Sequence, residues 1–354
     1  RGLLLRVRNP AKITTAIPAS KQVNTHEVLV RWGVDESRVL RNLNVRDIPS
    51  PILGKYAWPG RYKPFEHQKT TASFLTLNRR AFCFNEQGTG KTGSAIWASD
   101  FLIKEKIIKR VLIICPLSIM ESAWAGDLFN FAMHRKVDIA HGARKKRQSI
   151  INSDAEYVII NYDGVEIVRD EIANGGFDLI IADEATHYKN AQSKRWKVLN
   201  SLITPDTWLW LMTGTPAAQS PVDAYGLGKL VNPKGVPRFF GAFREMVMYK
   251  VTQFKWVPKP KAVDMVFKAL QPAIRFTKEQ CLDLPEMTYV KREVELTPQQ
   301  KKYYTTLRSQ MVMVAGGEQI TAANAAINMN KLLQISGGAV YTDTGETVEF
   351  DIKN

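Results

Sequence analysis

Between residues 65 and 232, short apolar runs alternate with longer amphipathic stretches. The runs are "AFCF", "RVLIIC", "YVII", "FDLIIAD" and "WLWLM"; between them lie "KTGSAIWASDFLIKEK", "SIMESAWAGDLFNFAM", "ARKKRQSIINS" and "SKRWKVLNSLI". Continuous apolar runs rich in β-branched and aromatic residues, with helical stretches between, describe strands buried on both faces. The pattern predicts an α/β fold with a parallel sheet covered by helices on both faces. Such sheets bind ligands at the carboxyl ends of their strands.

The flanks have a different rhythm. Residues 1–62 read as an N-terminal appendage: "HEVLVRWGVDESRVLRNL" mixes a short strand with an amphipathic helix, and "DIPSPILGKYAWPGRYKP" is a connector punctuated by proline and glycine. Residues 233–285 read as a helical protrusion and linker, and residues 286–354 as a further helical and extended part. There Thr297 is an expected N-cap with Pro298 at the first helical position, "YVKREVEL" an expected strand, and "AVYTDTGETVEF" a hairpin turning at Asp343-Thr344-Gly345.

Composition narrows the classes. A chain of 354 residues exceeds what one core usually serves. No apolar run is long enough to span a membrane, and Leu3-Leu4-Leu5 is too short for a signal-peptide core. The chain opens on Arg1 rather than Met, as a fragment or a processed chain does. Cys83, Cys115 and Cys281 are widely spaced and form neither a metal-ligand pair nor a disulfide framework. A reducing, cytoplasmic setting is expected. The net charge of +15 favours a polyanionic partner such as nucleic acid.

The chemistry sits at the ends of the apolar runs. Gly88-Thr89-Gly90-Lys91-Thr92 follows "AFCF" and opens a helix, the context of a phosphate-binding loop. The glycines let backbone N–H groups approach phosphates, and the helix N-terminus adds a favourable dipole. Lys91 would reach the β- and γ-phosphates of ATP and Thr92 would ligate Mg²⁺. The general pattern wants glycine where this chain has Asn85. After "FDLIIAD", Asp183 would hold Mg²⁺ and Glu184 would polarise the attacking water. Adjacent carboxylates at the end of a buried strand are costly unless a cation or donors meet them. Thr213 and Thr215 in "LMTGTP" would couple the phosphate state to a moving element, and Gln68 in "PFEHQ" would read an adenine edge.

The ordered series of Gln68, "NEQGTGKT", "CPLSIMESAW", "NYDG", "DEATHYKN", "LMTGTP" and "FTKEQCLDLPEMT" resembles the Snf2-like branch of the superfamily 2 helicases. The resemblance covers roughly residues 63–340 and implies a RecA-like ATP-binding lobe over 63–232; the short chain and lean insertions look like phage or bacterial members more than chromatin remodellers, which implies a bacterial or phage-infected cell. That family writes an acidic residue where Asn85 stands, and a histidine where Thr186 stands, while Lys189 and Asn190 match. Thr213-Gly214-Thr215-Pro216 departs from the Ser-Ala-Thr of DEAD-box RNA helicases. The family also needs a second RecA-like lobe bearing an arginine finger. No Q-x-x-x-R box appears after "NKLLQISGGAVY", so the chain is expected to hold lobe one and the opening of a second lobe that is missing in cis.

The resemblance further implies that Pro116, Leu117 and Ser118 lie on a DNA-backbone track, although Ser118 equally suits a helix cap. "YKVTQFKWVPKPK" interleaves Tyr249, Phe254 and Trp256 with Lys250, Lys255, Lys259 and Lys261, as nucleic-acid tracking or inward aromatic packing would. The run Arg144–Arg147 reads as a solvated helix face. The function so implied is an ATP-dependent translocase or helicase on double-stranded DNA. The alternatives are the motor subunit of a restriction-type complex and a nucleotide-dependent DNA-binding module without turnover.

Overall fold

Seven apolar segments come together as one sheet in the computed structural model, which describes residues 2–217, 219–253, 255–281, 293, 295–317, 322–341 and 347–350. They are β1 (Arg80–Cys83), β2 (Val111–Cys115), β3 (Val137–Ala140), β4 (Tyr157–Asn161), β5 (Leu179–Asp183), β6 (Trp208–Met212) and β7 (Ala273–Ile274). Their spatial order is β7-β1-β6-β5-β2-β4-β3, and every pairing is parallel. Residues along a strand alternate between two cores. Leu209 and Leu211 enter one, with Leu112, Ile114, Val158 and Ile160. Trp208, Trp210 and Met212 enter the other, with Ile113, Tyr157 and Ile181. Both faces are covered, so the strands show no polar alternation.

Two strands were not legible as strands. At the sheet edge β3 is only half-buried and carries Asp138. β7 has two residues and arises within the segment read as linker. Its backbone nevertheless continues beside β1: Phe82 N donates to Pro272 O, Phe84 N to Ile274 O and Glu86 N to Phe276 O. The same linker segment forms helices Phe240–Val247 and Ala262–Ala269, and a hairpin of Met248–Lys250 with Trp256–Pro258.

The N-terminal segment builds its own small core. Strands Gly2–Arg6, Glu27–Arg31 and Lys21–Gln22 form an antiparallel sheet with the middle one central. Val28 and Val30 pack on Ile13, Ile17 and Leu40 from helices Pro10–Ala16 and Val34–Asn42 and the residue after the first.

The chain divides into two compact units, Arg1–Leu284 and Pro285–Asn354. In the second, Thr297 caps helix Pro298–Gly317: its hydroxyl accepts from Gln300 N at 3.3 Å, and Gln300 Oε1 accepts from Thr297 N at 3.0 Å. Ala339–Tyr341 pairs antiparallel with Thr347–Glu349, while their turn and most of the expected strand "YVKREVEL" lie outside the described residues. Among the described residues no helix is long and apolar enough to cross a membrane. Burial pushes the Cys83 and Cys115 thiols up to about 11 and about 12, so both stay protonated packing groups at neutral pH.

Helix Lys91–Lys104 carries ten buried residues and needs a buried acid satisfied. Asp100, 1% exposed, accepts from Arg135 Nε at 2.6 Å, from the Tyr56 hydroxyl, and contacts His134 Nε2 at 3.0 Å. Burial first, and the Asp100 charge second, push the Tyr56 phenol well above its ordinary range, which keeps it a donor. Removing one partner of a buried ion pair costs more than the pair contributes. Arg135→Ala is therefore expected to lower the unfolding free energy by about 3 kcal/mol. Glu156→Gln, at the more exposed end of the same arginine, is expected to cost less than about 1 kcal/mol. Urea unfolding followed by tryptophan fluorescence measures both, because all eight tryptophans lie in the first unit.

Candidate nucleotide site

Three adjacent strands end at the same level. Cys83 of β1 and Asp183 of β5 both lie opposite Met212 of β6. The phosphate loop, the carboxylate pair and the Thr-Gly-Thr-Pro turn therefore leave the sheet side by side. The loop is braced before it turns. Asn85 is fully buried; its Nδ2 donates to Thr71 Oγ1 at 2.8 Å and its Oδ1 accepts from Phe276 N at 3.0 Å. An amide supplies a donor and an acceptor at once, which glycine cannot. Glu86 Oε2 accepts from Lys278 N at 3.1 Å. The loop thus hangs between helix Glu66–Leu77 and the residues after β7.

Gly88 and Gly90 have φ of +84° and +76°, the left-handed region that favours glycine. A Cβ on Gly90 would also fall 2.0 Å from Gln68 Nε2. Lys91 and Thr92 open the helix, half-buried, and neither side chain makes a hydrogen bond or ion pair among the described residues. The first turn of the helix carries no acidic residue of its own.

Asp183 is held by donors on both oxygens: Trp124 Nε1 at 3.0 Å to Oδ2 and Glu184 N at 3.0 Å to Oδ1. Burial pushes its carboxyl above the usual range, against the pull of those two donors and the charge of Lys91. Glu184 has φ 51° and ψ 53°, a left-handed conformation costing about 1–2 kcal/mol in a non-glycine residue. Its Oε1 accepts from Thr213 Oγ1 at 3.1 Å and from Thr186 Oγ1 at 3.3 Å. Tyr162 donates its hydroxyl to the backbone oxygens of Asp183 and Glu184, at 3.1 Å to the latter. Two hydroxyls thus aim the Glu184 carboxylate, while Tyr162 holds the backbone that carries it.

The other expected residues are placed as follows. Gln68 touches the loop, with Nε2 on Thr89 O at 3.4 Å, while its Oε1 accepts from Phe65 N at 2.9 Å. Thr215 is exposed, and its N–H donates to Thr213 Oγ1 at 3.2 Å. Pro116, Leu117 and Ser118 follow β2 at the same edge of the sheet; Leu117 and Ser118 are exposed, and Ser118 sits inside the turn Leu117–Ile119 and caps no helix. Lys255 and Trp256 belong to the separate hairpin. Lys255 is exposed, whereas the Trp256 ring is covered by the Arg244 guanidinium at 4.2 Å; Phe254 lies outside the described residues. The run Arg144–Arg147 is only partly a solvated face. Arg147 is buried and donates to Ala140 O, Gly142 O and Asn161 Oδ1. Trp124, Tyr162 and the clamp role of Thr186 were missed. A tryptophan whose N–H must find a partner in a core was the one available signal.

The SNF2-related domain family matches residues 67–337. Putative protein p41 of Acyrthosiphon pisum secondary endosymbiont phage 1 is 24% identical over 305 residues, covering 80% of this chain and 65% of that protein. Uncharacterized ATP-dependent helicase MG018 of Mycoplasma genitalium is 26% identical over 226 residues, 62% of this chain and 21% of that protein. The Sulfolobus solfataricus SWI2/SNF2 ATPase core in complex with dsDNA superposes with a TM-score of 0.54 at 20% identity, covering 79% of this chain and 60% of that one; at this identity the likeness is one of fold. The chain thus spans between about a fifth and two thirds of the length of these proteins. With the family matched over most of its length and the fold shared, the chain belongs to the SNF2-related domain family.

Proposed function

We propose that this SNF2-type ATPase core hydrolyses ATP to drive movement along double-stranded DNA. The observation that carries the reading is the level row of Cys83, Met212 and Asp183, which sets an unpaired lysine, a threonine hydroxyl and two carboxylates around one edge of the sheet. The likeness to a SWI2/SNF2 core in complex with dsDNA and the net charge of +15 support duplex DNA as the track.

The residues fit nucleotide with Mg²⁺. Lys91 and Thr92 lack protein partners among the described residues, and a cation beside Asp183 would offset the burial that raises its carboxyl. Mg²⁺, held by Thr92 and Asp183, would supply neutralisation of phosphate charge. Lys91 and the loop N–H groups bind the phosphates. Glu184 orients water and takes its proton, and Thr213 and Thr186 keep its carboxylate turned to that task. Thr213 also sits on the turn that leads away from the sheet, so its bond to Glu184 links the state of the site to that turn.

Three substitutions test the assignment. Lys91→Ala is expected to weaken Mg-ATP binding about 10- to 100-fold by calorimetry, the loss of one charged hydrogen-bonding partner. Glu184→Gln is expected to keep ATP affinity and cut DNA-stimulated phosphate release by about 10² to 10⁴. Thr186→Val, which keeps shape and removes the hydroxyl, is expected to lower kcat about tenfold at unchanged KM, and Thr186→Ser to restore it. Equal loss in the valine and serine variants would assign Thr186 to packing.

A further inference from the structure

The chain's charge is unevenly spread. Residues 1–62 hold eleven lysines and arginines against four carboxylates, so this sixth of the sequence carries +7 of the +15. Arg6, Arg8, Lys12, Lys21, Arg41 and Arg46 are all exposed, and none makes an ion pair among the described residues. Arg31, also exposed, meets only Glu36 at 3.9 Å.

The N-terminal sheet presents part of this charge on one face. Leu3, Leu5, Val28 and Val30 point into the small core. The alternate positions point out. Leu4 lies opposite Leu29, which lies opposite Lys21; Arg6 lies opposite Glu27, and Arg31 opposite Gly2. Leu4 and Leu29 are 59% and 44% exposed. The face is therefore a short apolar row ending in Lys21, with an arginine at each end of the strands. Four strand residues separate those ends, about 13 Å. Exposed Arg8 continues the charge along the chain past Arg6.

We infer that this outer sheet face is a second DNA-contacting surface, separate from the ATPase edge, which holds the sugar–phosphate backbone of duplex DNA without reading sequence. It rests on the duplex-motor reading for the identity of the polyanion. Unpaired exposed arginines and lysines on a regular, self-supporting scaffold are the electrostatic footprint of phosphate binding. The face has no aromatic side chain, so it offers no platform for stacking bases. Two leucines and the exposed Val23 beside Glu27 fall well short of the apolar centre of a stable protein interface, which disfavours a second protein as occupant. They suit contact with deoxyribose between phosphates. Glu27, the one carboxylate in the sheet, is turned aside by the Asn24 amide at 2.6 Å.

The test uses the full chain. Arg6→Glu, Lys21→Glu and Arg31→Glu are combined, and duplex affinity is titrated by fluorescence anisotropy at several salt concentrations on unrelated sequences. Each phosphate contact contributes about 0.9 to the slope of log affinity against log salt. The triple variant is expected to lose about 2 to 3 from that slope and at least tenfold in affinity at low salt, with Mg-ATP affinity and melting temperature unchanged. A charge-keeping set, Arg6→Lys, Lys21→Arg and Arg31→Lys, is expected to retain the slope. A second variant, Arg8→Glu, alters no strand residue and is expected to lower the slope by about 1. A wild-type slope and affinity in the triple charge-reversed variant would overturn this inference alone. A wild-type chain that binds Mg-ATP but no duplex would overturn the motor reading with it.

Discussion

The nucleotide edge of this molecule depends on backbone hydrogen bonds between three neighbouring parallel strands. They bring Cys83, Met212 and Asp183 to one level, and everything chemical hangs from that row. Parallel strands buried on both faces leave their polar endings nowhere to go but the carboxyl edge. The row makes the phosphate loop, the acidic pair and the threonine turn neighbours, although about 90 and 30 residues separate them along the chain. A shift of one residue between β5 and β6 would turn Asp183 to the opposite face and break the set.

The same economy explains two departures from the family's residues. Asn85 stands where an acid is usual, and its amide ties the loop to Thr71 on one side and Phe276 on the other. Thr186 stands where a histidine is usual, and its hydroxyl reaches the same Glu184 oxygen as Thr213. In both places a short neutral side chain makes contacts that depend on its exact neighbours. The left-handed backbone at Glu184 and the raised carboxyl of Asp183 are costs that the free protein carries. Both are what the proposed nucleotide site would need if it is organised before its ligand binds.

The N-terminal segment answers to a different constraint. Its core of Ile13, Ile17, Val28, Val30 and Leu40 is separate from the two cores of the central sheet. One sheet face is thereby spent on packing and the other left to solvent. That is the condition under which an antiparallel sheet presents a regular charged surface.

Local pattern alone determined a good deal. Five of the strands, the loop that opens helix Lys91–Lys104, and the Thr297 cap were legible because each depends on neighbours in sequence: an apolar run, a glycine before a helix, a threonine followed by proline. So was the α/β class, since runs without alternation require cover on both faces. The tertiary structure decided the rest. β7 is two residues long and exists only because β1 lies beside it to accept and donate its bonds. Arg147 reads as one more charge in a basic run, and only the fold surrounds it with three acceptors. Trp124 and Tyr162 gained their roles from segments that meet Asp183 and Glu184 in space, and no spacing along the chain encodes that meeting. Periodicity records which way a side chain faces; which polar partner waits there is set by the order and register of strands far apart in sequence.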